Sequence, residues 1–176
     1  MRHKQYTVMC RQLAQRHKEI QHSPEQCRFV RILISSDPIQ KQLDLSEFYT
    51  SLRTKLDMRE GMAAMVLENY QADYSDNDGD FYAKFHHSAF LVLKRIDVND
   101  YDGRDDALDD CERIGEELMG ALIERLQSAG LHITPDDVMQ EAIGPIGDVL
   151  VGARFHYVFR STATQALTYQ PTKFMD

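Results

Sequence analysis

The stretch VLVGARFHYVFR, residues 149–160, decides the fold. Val149, Val151, Ala153, Phe155, Tyr157 and Phe159 alternate with Leu150, Gly152, Arg154, His156, Val158 and Arg160. That is a period of two over a dozen residues, with one strongly apolar face, and it predicts a long β-strand. Just upstream, Val138 to Ile143 reads as a second strand, and Gly144-Pro145-Ile146-Gly147-Asp148 is a turn between the two. The C-terminal part is therefore a hairpin, and hairpins imply antiparallel pairing.

Moving toward the N-terminus, Ala83 to Ile96 also reads as a long strand. Ala83, Phe85, Ala89, Leu91 and Leu93 fall on one face, with His87 among them as an expected core histidine. Lys84, His86, Ser88 and Lys94 fall mostly on the other face. Gly61 to Tyr70 is apolar nearly throughout to Leu67, which fits a doubly covered strand or a buried helix turn. The acidic loop Ser75 to Asp80 and the strand after it favour the strand, and with it a second hairpin.

Helical spacing occupies three places. Leu108, Cys111, Gly115, Leu118, Leu122 and Leu126 recur near the helical period, so residues 105–129 form a helix that Gly130 stops. Leu45, Phe48, Leu52 and Leu56 mark a helix over 45–56. Val8, Leu13 and Ile20 give a thin stripe over 4–21, before Pro24. Arg28 to Ile34 is a short strand, closed by the turn Ser35-Ser36-Asp37-Pro38. The expected order is α-β-α-β-β-α-β-β. It makes an α+β domain over residues 1–160, an antiparallel or mixed sheet of four to five strands with helices on one face. Residues 161–176 read as an irregular tail.

Composition and charge narrow the function classes. The 176 residues are 43 % apolar and 27 % charged, ordinary for one globular domain. Twenty basic against 28 acidic residues give a net charge of -8, which argues against nucleic acid as main ligand and against anionic membranes. The charge is polarised. Arg2, Lys4, Arg11, Arg16, Lys18, Arg28 and Arg31 face only Glu19 and Glu25 in residues 1–31. Asp73, Asp76, Asp78 and Asp80 fill one loop; Asp97, Asp100, Asp102, Asp105, Asp106, Asp109 and Asp110 fill the next stretch. Two solvated faces would account for this. So would a basic edge that meets an acidic edge on a neighbouring subunit. On the second reading, Arg11, Arg16, Lys18, Asp76, Asp78, Asp80, Asp100, Asp102, Arg154 and His156 are the candidate interface residues.

Motifs for chemistry are scarce. A calcium loop built on Gly79 would place Tyr74 first and Phe85 twelfth; one built on Gly103 would start at Val98. Neither supplies the required oxygen ligands. His86 and His87 are adjacent on a strand, point to opposite faces and cannot share a metal. Pro135-Asp136 with Glu141 begins a nuclease-like pattern, but Ile143 stands where its lysine belongs. Cys10, Cys27 and Cys111 are too far apart for a zinc motif and read as free thiols. No nucleophile elbow, phosphate loop or dinucleotide fingerprint occurs. The expectation is a protein that is no enzyme, with no cofactor and no small-molecule ligand. An enzyme would need a deep pocket lined by carboxylates or by Arg154 and His156. With no signal-like or membrane-spanning stretch, the expected location is the cytoplasm.

One resemblance adds direction. The strand Ala89-Phe90-Leu91-Val92-Leu93, the acidic loop Asp97 to Asp102, the helix Leu108 to Leu126 and the strand Val151 to Phe159 follow one another in an order similar to small phage tail-terminator and minor tail proteins. The segment Leu52 to Tyr70 resembles that class too, so the likeness spans residues 28–160. It implies a prophage-encoded virion assembly protein with no catalytic residues. Such a protein would form homo-oligomers, rings among them, contact other virion proteins, and act in the host cytoplasm or the virion. The alternative reading is a small acidic adaptor or regulatory module that recognises a basic partner.

Overall fold

A computed structural model describes residues 1–33, 55–58, 61–76, 78–97, 99–146 and 149–174. The turn at Ser35–Pro38 and nearly all of the helix expected over 45–56 lie outside the described residues. The described elements run α1 (His3–Arg16), β1 (Phe29–Ile32), β2 (Ala64–Glu68), β3 (Gln71–Asp76), β4 (Tyr82–Arg95), α2 (Tyr101–Ser128), β5 (Val138–Ile146), β6 (Leu150–Thr162) and a one-turn helix α3 (Thr164–Leu167).

The fold is α+β, with one mixed sheet of six strands. Five follow the order β1-β2-β4-β6-β5, and β3 pairs β4 beyond the end of β2. Only β1 and β2 run parallel; β4 with β6 is the long antiparallel spine, from Ala83 against Thr162 to Arg95 against Leu150. Leu67 pairs with Phe90 but Gln71 pairs with His87, so four residues on one strand stand against three on the other. That extra residue is a bulge, and β2 and β3 are two parts of one bent strand.

The two long helices, α1 and α2, pack on one face of the sheet. From α2, Cys111, Ile114, Leu118, Leu122 and Leu126 meet Phe90, Val92, Ala153, Phe155 and Tyr157 in the main core. Each fully buried large side chain there contributes roughly 1.5–3 kcal/mol. A Cβ on Gly115 would stand 2.0 Å from the Phe155 ring, so glycine lets α2 approach β6. Likewise a Cβ on Gly152 would meet the Val92 carbonyl oxygen at 1.9 Å, inside the spine. Asp100 caps α2, its carboxylate accepting from the Gly103 N–H at 3.0 Å. Lys94, buried at the end of β4, donates to Asp110 of α2 at 2.5 Å.

Three sequence readings change. The α1 helix ends at Arg16 rather than near residue 21, because His17 turns to extended backbone and its ring reaches Glu117 on α2 at 2.9 Å. Second, the core histidine is His86, not His87. His86 faces the helices, fully buried and stacked on Phe159 at 4.4 Å, while His87 faces outward and holds Asp73 at 2.9 Å. Third, β6 continues to Thr162, and the residues after it dock rather than trail. Ala163 N–H donates to the Tyr82 carbonyl at 2.7 Å, and the Thr164 hydroxyl accepts from the Tyr82 N–H at 2.9 Å.

The face opposite the helices is divided. At one end Ile32, Val66, Leu91, Leu93 and Leu150 form a second apolar cluster, with Leu56 and Met58 packed on it. The other end lies open and carries charge.

Candidate functional site

The open end of the sheet holds a groove of about 700 Å³. Its floor is Ala89 on β4, a short side chain flanked by longer ones on the neighbouring strands. Glu68 comes from the end of β2, His87 from β4, and Arg154, His156 and Val158 from β6. Asp136 and Asp137, in the turn before β5, and Met139 on β5 close one side. The alternation of β6 puts Arg154, His156 and Val158 together here, because Ala153, Phe155 and Tyr157 face the core.

The charges form a ladder across three strands. Arg154 Nε donates to Glu68 Oε1 at 2.7 Å and Nη2 to Oε2 at 2.8 Å, a bidentate pair. Its Nη1 donates to Glu141 Oε1 at 3.2 Å, and His156 Nε2 lies 2.9 Å from the same oxygen. Partial burial opposes the Arg154 charge, but the Glu68 and then Glu141 carboxylates outweigh it and raise its pKa. Glu141 is held below the usual carboxylate range by the His156 hydrogen bond first, and by Arg154. The Glu141 carboxylate therefore stays ionised, and both carboxylates are engaged. Asp137 accepts from the Thr134 N–H at 2.9 Å and hydroxyl at 2.8 Å. Asp136, exposed, holds no such partner among the described residues.

Beneath the floor, on the helix side, lies a neutral polar network. The Tyr6 hydroxyl meets the Ser88 hydroxyl at 2.6 Å and also the Tyr157 hydroxyl, while Ser88 donates to the Glu68 carbonyl at 3.3 Å. Burial raises both phenol pKa values. These hydroxyls satisfy one another and none touches a histidine. The hydroxyl–imidazole contact that the described residues do contain is Ser161 to His86 Nε2, at 3.0 Å. It lacks the features of a nucleophile–base pair. His86 Nδ1 has no hydrogen-bond partner to orient it, and burial with the Lys84 charge lowers its pKa to about 4. The Cys10 and Cys111 thiols are buried, with pKa values raised to about 12. Among the described residues no group of three or more His, Cys, Asp or Glu is placed to hold a metal ion. No described helix is long and apolar enough to cross a membrane.

No known family, curated protein or solved structure matches the chain.

The structure places the sequence-derived candidates in four locations. Arg154 and His156 meet at the groove. Arg11 and Arg16 lie exposed on α1, with Lys18 just after it; the Arg11 guanidinium sits 5.6 Å from the Phe29 ring centroid. Asp76, Asp78 and Asp80 mark the β3–β4 turn, where Asp76 Oδ1 accepts from the Asp78 N–H at 3.1 Å. Asp100 and Asp102 open α2. The two acidic loops thus sit at opposite ends of the 14-residue strand β4. At ~3.3 Å per residue they stand about 45 Å apart and do not make one acidic edge. The sequence reading missed Glu68, which it absorbed into an apolar strand, and the pairing of Glu141 with Arg154 and His156.

Proposed function

We propose that the chain is a non-enzymatic assembly subunit of the phage tail-terminator or tail-completion kind, acting through subunit contacts. The observation that carries this reading is the asymmetry of the sheet. One face is sealed by helices. The other keeps an open, charged region in which Arg154, Glu68, Glu141 and His156 are already paired with one another. Such a ladder is a shaped, stiff surface suited to a protein partner. Within the ladder each acid or base is already engaged by a neighbour, and no hydroxyl or thiol stands beside it as a nucleophile. The order of elements that resembles tail proteins supports the same reading, with the host cytoplasm and then the virion as the proposed location.

Light scattering on the purified chain at low and high salt, with negative-stain imaging, tests it. The expected result is a salt-sensitive oligomer with a mass that is a multiple of 20.3 kDa. A monomer at every concentration and salt would count against it. The acidic lining of the groove favours the second reading, an adaptor for a basic partner, and a strict monomer that binds poly-lysine would establish that one instead.

A further inference from the structure

We propose that the exposed basic face of α1 in one copy docks in the open groove of the next copy. The inference rests on the assembly reading and names its contact.

The donor surface is unusual for a helix. Lys4, Val8, Arg11 and Gln15 fall at i, i+4, i+7 and i+11, on one face, with Arg16 beside them and Lys18 just beyond. Lys4, Arg11, Arg16 and Lys18 are exposed, and so is Val8 at 40 %. The helix has no acidic residue, and Arg2 and Lys4 stand at its positive end, where cations oppose the helix dipole. Arg16 in the last turn suits the helix dipole and Arg11 lies over the Phe29 ring, but none of these charges meets a carboxylate among the described residues. Among the described residues Lys4, Arg11, Arg16 and Lys18 form no ion pair, whereas Arg28, Lys94, Arg113 and Arg154 each hold a carboxylate.

The acceptor is complementary. Glu68, Asp136 and Asp137 outnumber Arg154 along the groove, three carboxylates to one guanidinium. Asp136 is open to an incoming cation. Met139, 62 % exposed, and Val158 offer apolar contact to Val8 and to the aliphatic stems of Lys and Arg.

Geometry then dictates the kind of assembly. The buried side of α1 packs on one face of the sheet, and the groove opens on the other. A copy cannot satisfy its own groove, and the contact joins unlike surfaces. Such a contact is heterologous. It repeats from copy to copy and either closes into a ring or runs on as a filament.

Sedimentation velocity on the full chain at about 50 mM and 500 mM salt tests the pairing, where screening lengths differ several-fold. Three variants are used, all at exposed positions, with circular dichroism confirming the fold. The first is Lys4→Ser/Arg11→Ser/Lys18→Ser. The second is Asp136→Lys/Met139→Lys. The third, a control, is Asp76→Asn/Asp78→Asn/Asp80→Asn. Wild type and the control are expected to associate at low salt. The first two variants are each expected to associate at least tenfold more weakly. Their equimolar mixture is expected to stop at a 1:1 dimer, because it retains one intact helix face and one intact groove. A wild type that associates while the α1 variant associates equally well overturns the contact and leaves the assembly reading standing. A mixture that stays monomeric overturns the contact as well. A wild type monomeric throughout overturns both.

Discussion

Mild acid should loosen this fold through one buried imidazole before the carboxylates titrate. His86 is fully buried, stacked on Phe159 at 4.4 Å and edge-on to Tyr70 at 4.7 Å, with Ser161 at 3.0 Å from Nε2. Burial is the main reason its pKa falls from 6.5 to about 4; the charges of Lys84 and the N-terminal amine add to it. The unfolded chain therefore binds a proton here at a pH where the folded chain does not. The contribution of neutral His86 is fully present above pH 6.5 and is lost as pH falls toward about 4. At about 1.36 kcal/mol per unit, the whole window amounts to about 3 kcal/mol, of which about 2 kcal/mol is gone between pH 7 and pH 5. Urea unfolding across that range, on wild type and on His86→Phe, measures it. The phenyl ring retains the stack on Phe159 but cannot titrate, so the variant's curve should lie about 2 kcal/mol flatter. His22, also lowered by burial, is common to both proteins and cancels. Parallel curves for the two proteins would refute the reasoning, because the acid sensitivity would then belong to other groups.

Two further outcomes follow from close contacts. Gly115→Ala puts a methyl group into the Phe155 ring and should lower stability by about 1–3 kcal/mol in chemical denaturation, as overpacked cores do. Arg154→Ala strips the bidentate partner from half-buried Glu68 and should cost about 1–3 kcal/mol; Arg154→Lys restores charge without the fork and should recover only part of it, read by thermal melting.

The long β6 strand and the α2 helix were legible because each buries one face more deeply than the other, so period alone reveals them. The strand β4 shows where this fails. Its helix-facing side carries His86 and Ser88, which look like surface residues in the sequence. Ser88 is satisfied by Tyr6 and the Glu68 carbonyl, and His86 is engaged at Nε2 by Ser161 and stacked on Phe159, and those partners come from distant segments. The outward side meanwhile carries Leu91 and Leu93, which belong to the second apolar cluster. With polar groups inside and leucines outside, the pattern pointed to the wrong face. The β3 strand, QADYSD, was invisible for the opposite reason: it is exposed at every position and has no alternation to read. The groove could be read only by half. Arg154 and His156 stood out on β6, but Glu68 reaches Arg154 across the width of β4, and register between strands is absent from the sequence of either.

The same cross-strand register bears on what the open face can bind. The Glu68 and Glu141 carboxylates and the Arg154 guanidinium are occupied within the chain, so a small charged ligand would have to break short bonds before making its own. A protein partner need not. It can leave the Arg154 ladder intact and use what surrounds it: the unengaged Asp136 carboxylate, the exposed thioether of Met139, and the wall formed by Val158. Binding strength would then come mostly from apolar contact, and the ladder would supply shape and charge selectivity. On that account Met139→Ala should weaken self-association more than replacing His156 does, although the histidine lies in the charged ladder and the methionine only beside it. A His156→Gln variant that dissociates while Met139→Ala does not would place the binding energy in the ladder, and the distinction drawn between the two would fail.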